Sequence, residues 1–182
     1  MPFLYFQQLP SVPDLWLYSV FAMPLITAIL HTCNDAARLG RALETLMPCD
    51  EIVIVDHGST DATLQVAREY GANIRSAGRD QSPATHLASA RHDWALCLLP
   101  SESLTEALEA SLFEWQLYDA RDVASIPACS AFVREETKNG WREGRPSTRL
   151  IPKGWAHWDG DLPQDASNTM MLQGDLLRFR LP

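Results

Sequence analysis

The chain has 182 residues, 46% hydrophobic and 21% charged, with a formal net charge of −8. A single domain of this size buries roughly 70% of its unfolded surface, so it needs neither metal nor disulfide to fold. The acidic balance argues against extended nucleic acid and anionic membrane surfaces as partners, while small anionic ligands stay open.

Residues 1–22, MPFLYFQQLPSVPDLWLYSVFA, are apolar and aromatic but broken by Gln7, Gln8, Pro10, Pro13 and Asp14. They lack a basic leader and reach no apolar run of about 18 residues, so they read poorly as a signal peptide or a membrane span. Two readings stand: an N-terminal extension, packed or loose, or sequence upstream of a natural start at Met23. The rest, 23–182, reads as one domain with a first half over 23–115 and a second over 116–182.

LITAIL (25–30) is a short buried-strand pattern. Asn34 or Asp35 then offers an N-cap, and Ala37, Leu39, Ala42, Leu43 and Leu46 recur at helical spacing. Ile52–Val55 is a second strand, and Ser59, Thr60 or Asp61 caps a helix over ATLQVAREY that stops at Gly71. ANIRSA is a weak third strand, 83–92 is helical, WALCLL is a buried strand, and SLTEALEASLFEWQLY is a helix capped by Ser103 or Thr105. Strands alternating with helices imply an α/β fold on a mainly parallel sheet. Beyond that, DVASIPACSAFVREE reads as strand, KNGWREGRPST as turn-rich, RLIP and WAHWDGD as short strands, and MMLQGDLLRF is ambiguous.

Cys33, Cys49, Cys97 and Cys129 show neither a C-x-x-C nor a zinc spacing, which favours a reducing, cytoplasmic compartment. Ligands of open α/β sheets bind beyond the carboxyl ends of the strands, where Asp56 stands. Its carboxylate suits a ribose hydroxyl or a base N–H, and the helix start with Ser59 and Thr60 offers backbone donors. The alternative is that Asp56 caps its own turn and Asp61 the helix. Neither G-x-G-x-x-G nor G-x-x-x-x-G-K-[ST] occurs, so dinucleotide and P-loop chemistry are unsupported.

The stretch ITAILHTCNDAARLGRALETLMPCDEIVIVDHGSTDAT resembles the start of family 2 glycosyltransferases, with a Thr-Tyr-Asn-Glu-like turn and a strand running into Val-Asp-Asp-Gly-Ser-Thr-Asp. LASARHDWALCLL continues the likeness. NGWREGRPSTRLIPKGWAHWDG looks like lipopolysaccharide-core glucosyltransferase-like members, for a total span of about 24–160. The resemblance implies a GT-A-like (Rossmann-like) fold, shortened in its C-terminal part, that binds a nucleotide-sugar, usually a UDP-sugar. It implies transfer of a hexose to a glycan or lipid-linked acceptor of the cell envelope, in the cytoplasm or at the inner face of the membrane. By position, His31, Thr32, Cys33, Asp35 and Asp56 would surround base and ribose, with Arg79 reaching the same area.

The chain departs from that family at LCLLPSESL. Members carry Asp-x-Asp there, holding Mg²⁺ or Mn²⁺ against the diphosphate. Here the aligned residues are Leu99, Pro100 and Ser101, with a trailing Glu102, so no metal ligand is assigned. Val-His-Glu is replaced by Leu162–Gln164, leaving Asp159, Asp161 and Asp165 as substitutes for the acid–base group. Cys33 replaces an aromatic that stacks on the base, Ala84 an Asn, and His57 the second Asp, where a neutral turn histidine is the plainer reading.

Residues 134–153 form a net-positive stretch, from which Arg145 and Arg149 are the candidates to offset diphosphate charge without metal, against the alternative of a solvated loop. Trp94 and Cys97 read as core, Trp141, Trp155 and Trp158 as tryptophans of a turn-rich region that could form an acceptor-sugar platform, and His86 and His92 as helix surface. Two functions follow: a family 2-like transferase using Asp56, Glu102 and Arg145 or Arg149, or a catalytically inactive homologue that keeps the pocket for binding or regulation.

Overall fold

The computed structural model describes residues 23–78 and 81–180. The readings of 1–22 and of Arg79 lie outside them. The first half follows the expected alternation: β1 (Ile26–Thr32), α1 (Ala36–Glu44), β2 (Glu51–Asp56), α2 (Thr63–Glu69), β3 (Asn73–Ser76), α3 (Pro83–Ala88) and β4 (Trp94–Leu98). The strands pair in parallel in the order β3-β2-β1-β4.

Side chains of β1 alternate between two cores, as the two-residue repeat of a strand requires. Ile26, Ala28 and Leu30 pack with Leu39, Ile54, Leu108 and Trp115 on one side of the sheet. Ile29 faces Val53, Val55, Leu87, Cys97 and Ile151 on the other. Covered on both faces, these strands read as unbroken apolar runs. Trp94 is core as expected, edge-on to Trp115 with ring centroids 4.9 Å apart.

The second half adds β5 (Glu102–Leu104), α4 (Glu106–Gln116), α5 (Ala120–Val123), β6 (Cys129–Thr137), β7 (Gly140–Pro152), β8 (Trp158–Asp159), β9 (Leu162–Pro163) and β10 (Met170–Arg178). The large sheet runs β3-β2-β1-β4-β7-β6-β10-β5, and β8 and β9 form a small hairpin. The sheet is mainly parallel: β6 and β10 pair in parallel, while β7 is antiparallel to both β4 and β6, and β5 to β10. The expectation of an α/β fold on a mainly parallel sheet holds.

Several local expectations are corrected: the helix expected over 83–92 ends at Ala88, and the strand expected from Asp122 begins only at Cys129, after α5. KNGWREGRPST is not turn-rich: the turn is confined to Lys138 and Asn139, and Gly140 onward is strand, in register with β6 from Thr137↔Gly140. The ambiguous tail is the nine-residue β10, which bends at Gly174, where φ is +91°. His86 is buried rather than on a helix surface, its ring edge-on to His31.

Candidate functional site

The carboxyl ends of β1, β2 and β4 open onto one cleft of about 530 Å³. His31, Thr32, Cys33, Asp35, Arg38, His57, Leu99, Pro100, Ser101 and Asp161 line it. Four of the residues expected around a nucleoside, His31, Thr32, Cys33 and Asp35, are therefore brought together, and the Leu99–Ser101 segment faces them.

The turns that build this wall are locked by side-chain oxygens. Asn34 sits at φ +58°, a left-handed conformation that asparagine tolerates better than most residues. Its Oδ1 accepts the Thr60 N–H at 2.8 Å, and Ser59 Oγ accepts the Asn34 N–H at 2.9 Å. Asp35 stands at the N-cap position of α1, but its carboxylate accepts the Cys33 N–H at 2.7 Å and pairs with Arg38. Asp61 binds the Thr63 N–H at 2.9 Å and the Ala36 N–H at 3.1 Å, tying the starts of α2 and α1 together.

Asp56 is 7% exposed, and its carboxylate is occupied by its own turn. Oδ2 accepts the Gly58 N–H at 3.0 Å and the Ser59 N–H at 2.9 Å, while Oδ1 accepts the hydroxyls of Ser59 and Thr32. Burial alone would push its pKa up, but the donors of Ser59, Gly58 and Thr32 favour the anion, and the net shift is downward. The geometry is that of a carboxylate capping its own turn, the alternative reading given above. Asp56 shapes the cleft through the backbone it holds.

Next to it, His31 Nδ1 lies 2.9 Å from His57 Nε2 and 3.3 Å from Asp161 Oδ1. The His31 side chain is 7% exposed and that of Asp161 48%. Burial holds the His31 imidazole down at about 4, with Asp161 pulling the other way and His57 and His86 reinforcing the fall. His31 is thus neutral near pH 7. Asp161 occupies the tip of the β8–β9 hairpin beside Gly160, whose φ of +59° makes the tight turn possible.

Glu102 and Arg149 lie elsewhere than the diphosphate role expects. Glu102 is fully buried, and its Oε1 accepts Arg149 Nη2 at 3.1 Å and Arg178 Nη2 at 2.7 Å. Its Oε2 accepts the Leu99 N–H at 2.9 Å, so it fixes the turn at the end of β4 from below. These charges oppose one another in the interior and do not line the cleft. Arg145 lies on β7 and lines a separate concavity of about 280 Å³ with Glu135, Arg142, Asp165 and Arg178. Among the acid–base substitutes, Asp161 lines the cleft, whereas Asp165 accepts Ser147 Oγ at 2.9 Å and the Thr148 N–H at 2.8 Å.

Sequence reasoning missed two features. Arg38 brings a guanidinium to the cleft wall, and its signal was a position one turn into α1. The convergence of His31, His57 and Asp161 carried no local signal, because the three come from different elements. At the Asp-x-Asp position the residues present do not fit a divalent metal: leucine and proline side chains have no donor, and Ser101 offers one neutral oxygen.

Among known proteins, the profile described as Glycosyl transferase family 2 matches residues 27–92. The lipopolysaccharide core biosynthesis glycosyltransferase LpsC of Rhizobium meliloti is 44% identical over 45 residues, 25% of this chain and 17% of that protein. An uncharacterized glycosyltransferase of Rickettsia felis is 40% identical over 53 residues, 29% of this chain and 19% of that protein. A TPR repeat-containing protein of Synechococcus elongatus is 32% identical over 130 residues, 65% of this chain and 29% of that protein. The matches thus span less than a third of each of these relatives.

In fold, the chain is similar to glucosyl-3-phosphoglycerate synthase from Mycobacterium tuberculosis, solved with Mn²⁺, UDP and glucosyl-3-phosphoglycerate. The TM-score is 0.50 at 20% identity, over 70% of this chain and 50% of that one. No helix among the described residues is long and apolar enough to cross a membrane. Sequence match and fold agree with the resemblance read from the motifs: residues 27–92 match the family 2 glycosyltransferase profile, and the chain carries a GT-A-like fold.

Proposed function

We propose that the cleft at the ends of β1, β2 and β4 binds a nucleotide-sugar, a UDP-sugar by preference. The chain then serves transfer of a hexose to a glycan or lipid-linked acceptor at the cytoplasmic side of the cell envelope. One observation carries this reading: His31, Thr32, Cys33 and Asp35, picked out by the motif, line one cleft at the carboxyl edge of the parallel strands. The precedent of UDP in the M. tuberculosis synthase supports the choice of nucleotide.

In such a transfer an acceptor hydroxyl attacks the anomeric carbon. The new C–O bond forms as the bond from that carbon to the phosphate oxygen breaks. Its electron pair leaves with the diphosphate, and the hydroxyl proton passes to a base. Arg38, whose Nε and Nη2 already pair with Asp35, presents the rest of its guanidinium on the cleft wall for the diphosphate, and Asp161, where it holds no cation, is the carboxylate there for the proton. Arg145 enters only if the acceptor side extends to β7.

A second reading is favoured by Leu99, Pro100 and Ser101 lining the same cleft. Where the diphosphate charge would need opposing, the β4 end supplies no acid to hold a cation, and removing even one electrostatic contact of this kind costs about 3–4 kcal/mol in rate. A homologue that binds without turning over would keep the pocket and lose the chemistry. Calorimetric titration with UDP and UDP-glucose, followed by an assay of sugar release, separates the two. Binding with release supports the transferase, binding without release supports the inactive homologue, and no binding by either ligand sinks both.

A further inference from the structure

We propose that His31 Nδ1, His57 Nε2 and a carboxylate oxygen of Asp161 form a binding site for one divalent transition metal, selective for zinc-like ions over magnesium. The site stands on its own donors. Only its use, to oppose the charge of a bound diphosphate, rests on the nucleotide-sugar reading above.

The donor atoms converge. His31 Nδ1 is 2.9 Å from His57 Nε2 and 3.3 Å from Asp161 Oδ1, and the three ligand atoms lie within 4.8 Å of one another. With metal–ligand bonds of about 2.0–2.1 Å, the 2.9 Å and 3.3 Å separations from His31 Nδ1 correspond to angles of about 90° and about 105° at a shared ion. A single proton on His31 Nδ1 points well at one neighbour only. A cation placed between them serves all three.

Each donor is held by structure that does not depend on an ion. His31 ends β1, with its ring edge-on to the buried His86, centroids 5.7 Å apart. His57 follows β2, its N–H bonded to the Thr32 carbonyl at 2.8 Å, in the turn that Asp56 caps. Asp161 is fixed at the tip of the β8–β9 hairpin, whose Trp158 and Leu162 pack on the core. Supported in this way, donors need little reorganisation to bind.

The donor types set the selectivity. Imidazole nitrogens suit zinc, cobalt, nickel and iron, whereas magnesium prefers an all-oxygen shell. Two histidines and one carboxylate also leave coordination positions free for ligand oxygens. The chain thus exchanges an oxygen-only metal position at the end of β4, where Leu99–Ser101 now stand, for a nitrogen-rich one on the facing wall of the same cleft.

The test is calorimetry of chelator-stripped protein with ZnCl₂ and with MgCl₂, together with the visible absorption of added Co²⁺. One Zn²⁺ per chain is expected, bound at least 100-fold more tightly than Mg²⁺, with Co²⁺ giving ligand-field bands. Asp161→Asn should weaken Zn²⁺ at least tenfold and His57→Ala should abolish it. Both side chains lie at exposed positions, and metal-free melting temperatures matching the parent confirm that the variants fold. Cys33→Ser should leave Zn²⁺ binding intact. Absence of Zn²⁺ binding, equal affinity for Mg²⁺, indifference to both donor substitutions, or loss in Cys33→Ser overturns the site. UDP titrated into the same stripped protein keeps the two readings apart. UDP binding without Zn²⁺ binding removes the metal site alone, and donor-dependent Zn²⁺ binding without UDP binding removes the nucleotide reading alone.

Discussion

Arg149 Nη2 lies 3.1 Å from Glu102 Oε1, with the two side chains 3% and 0% exposed. Arg178 reaches the same carboxylate at 2.7 Å and continues to Glu135 at 2.9 Å. An ion pair enclosed to this degree is held less by net attraction than by the cost of leaving either partner alone in the interior. Glu102→Ala strands Arg149 and should lower unfolding free energy by about 3–5 kcal/mol. The double variant Glu102→Leu/Arg149→Met, which removes both charges, should lose much less. Urea denaturation of the two variants checks this, and equal losses would contradict it.

Asp56 gives the pH dependence. Its folded pKa is lowered because the donors of Ser59, Gly58 and Thr32 outweigh the opposing effect of burial. The carboxylate therefore contributes stability that is present above its unfolded value of 3.8 and is lost as pH falls through the lower folded value. Asp56→Asn leaves donors facing donors and should cost about 1–3 kcal/mol at pH 7. Its melting temperature should approach that of the parent as the solution is acidified below about 4. A gap independent of pH would show that the charge on Asp56 does not matter to the fold.

The cysteines should separate by reactivity. Burial pushes Cys97 and Cys129 up to about 12, and Cys49 is also raised by burial and by Asp50. Cys33 is exposed. Because the thiolate is the reacting form, iodoacetamide at pH 8 should label Cys33 first and reach the other three only after denaturation. Peptide mass spectrometry reads the order directly.

Gly174 should not accept a side chain. Its φ is +91°, and a Cβ there would overlap the Leu108 nitrogen and stand 2.8 Å from the Ala107 carbonyl carbon, both backbone atoms at the start of α4. Gly174→Ala should therefore destabilise by more than about 2 kcal/mol, through strain at positive φ and displacement of α4 together. Thermal unfolding followed by circular dichroism measures it.

These particulars show where the sequence was readable. β1, β2 and β4 announce themselves because they are covered on both faces, and α1 because Leu39, Ala42 and Leu43 return to one side. β5 stayed hidden, being three residues between a proline turn and the Thr105 cap, whose hydroxyl accepts the Leu108 N–H at 3.3 Å. β7 looked like loop because Gly140–Pro146 has half-buried or exposed side chains and carries Gly144 and Pro146. Its pairing with β6 is made by backbone groups, which no side-chain pattern reports. The cleft was half visible for the same reason. The motif places His31 to Asp35 together, but only the returning hairpin brings Asp161 to them, and only tertiary structure turns Glu102 and Arg149 toward each other.

The position of β5 reaches beyond the static fold. Its residues, Glu102–Leu104, pair solely with β10 among the described strands, in the register Arg178↔Glu102. During synthesis, residues 102–104 therefore leave the ribosome long before the strand that will pair with them. Until residue 178 has emerged, the Glu102 carboxylate lacks Arg178, and the apolar side of α4 has no β10 to cover it. The nascent chain thus passes through a stage in which its first strands can form while one edge of the sheet waits.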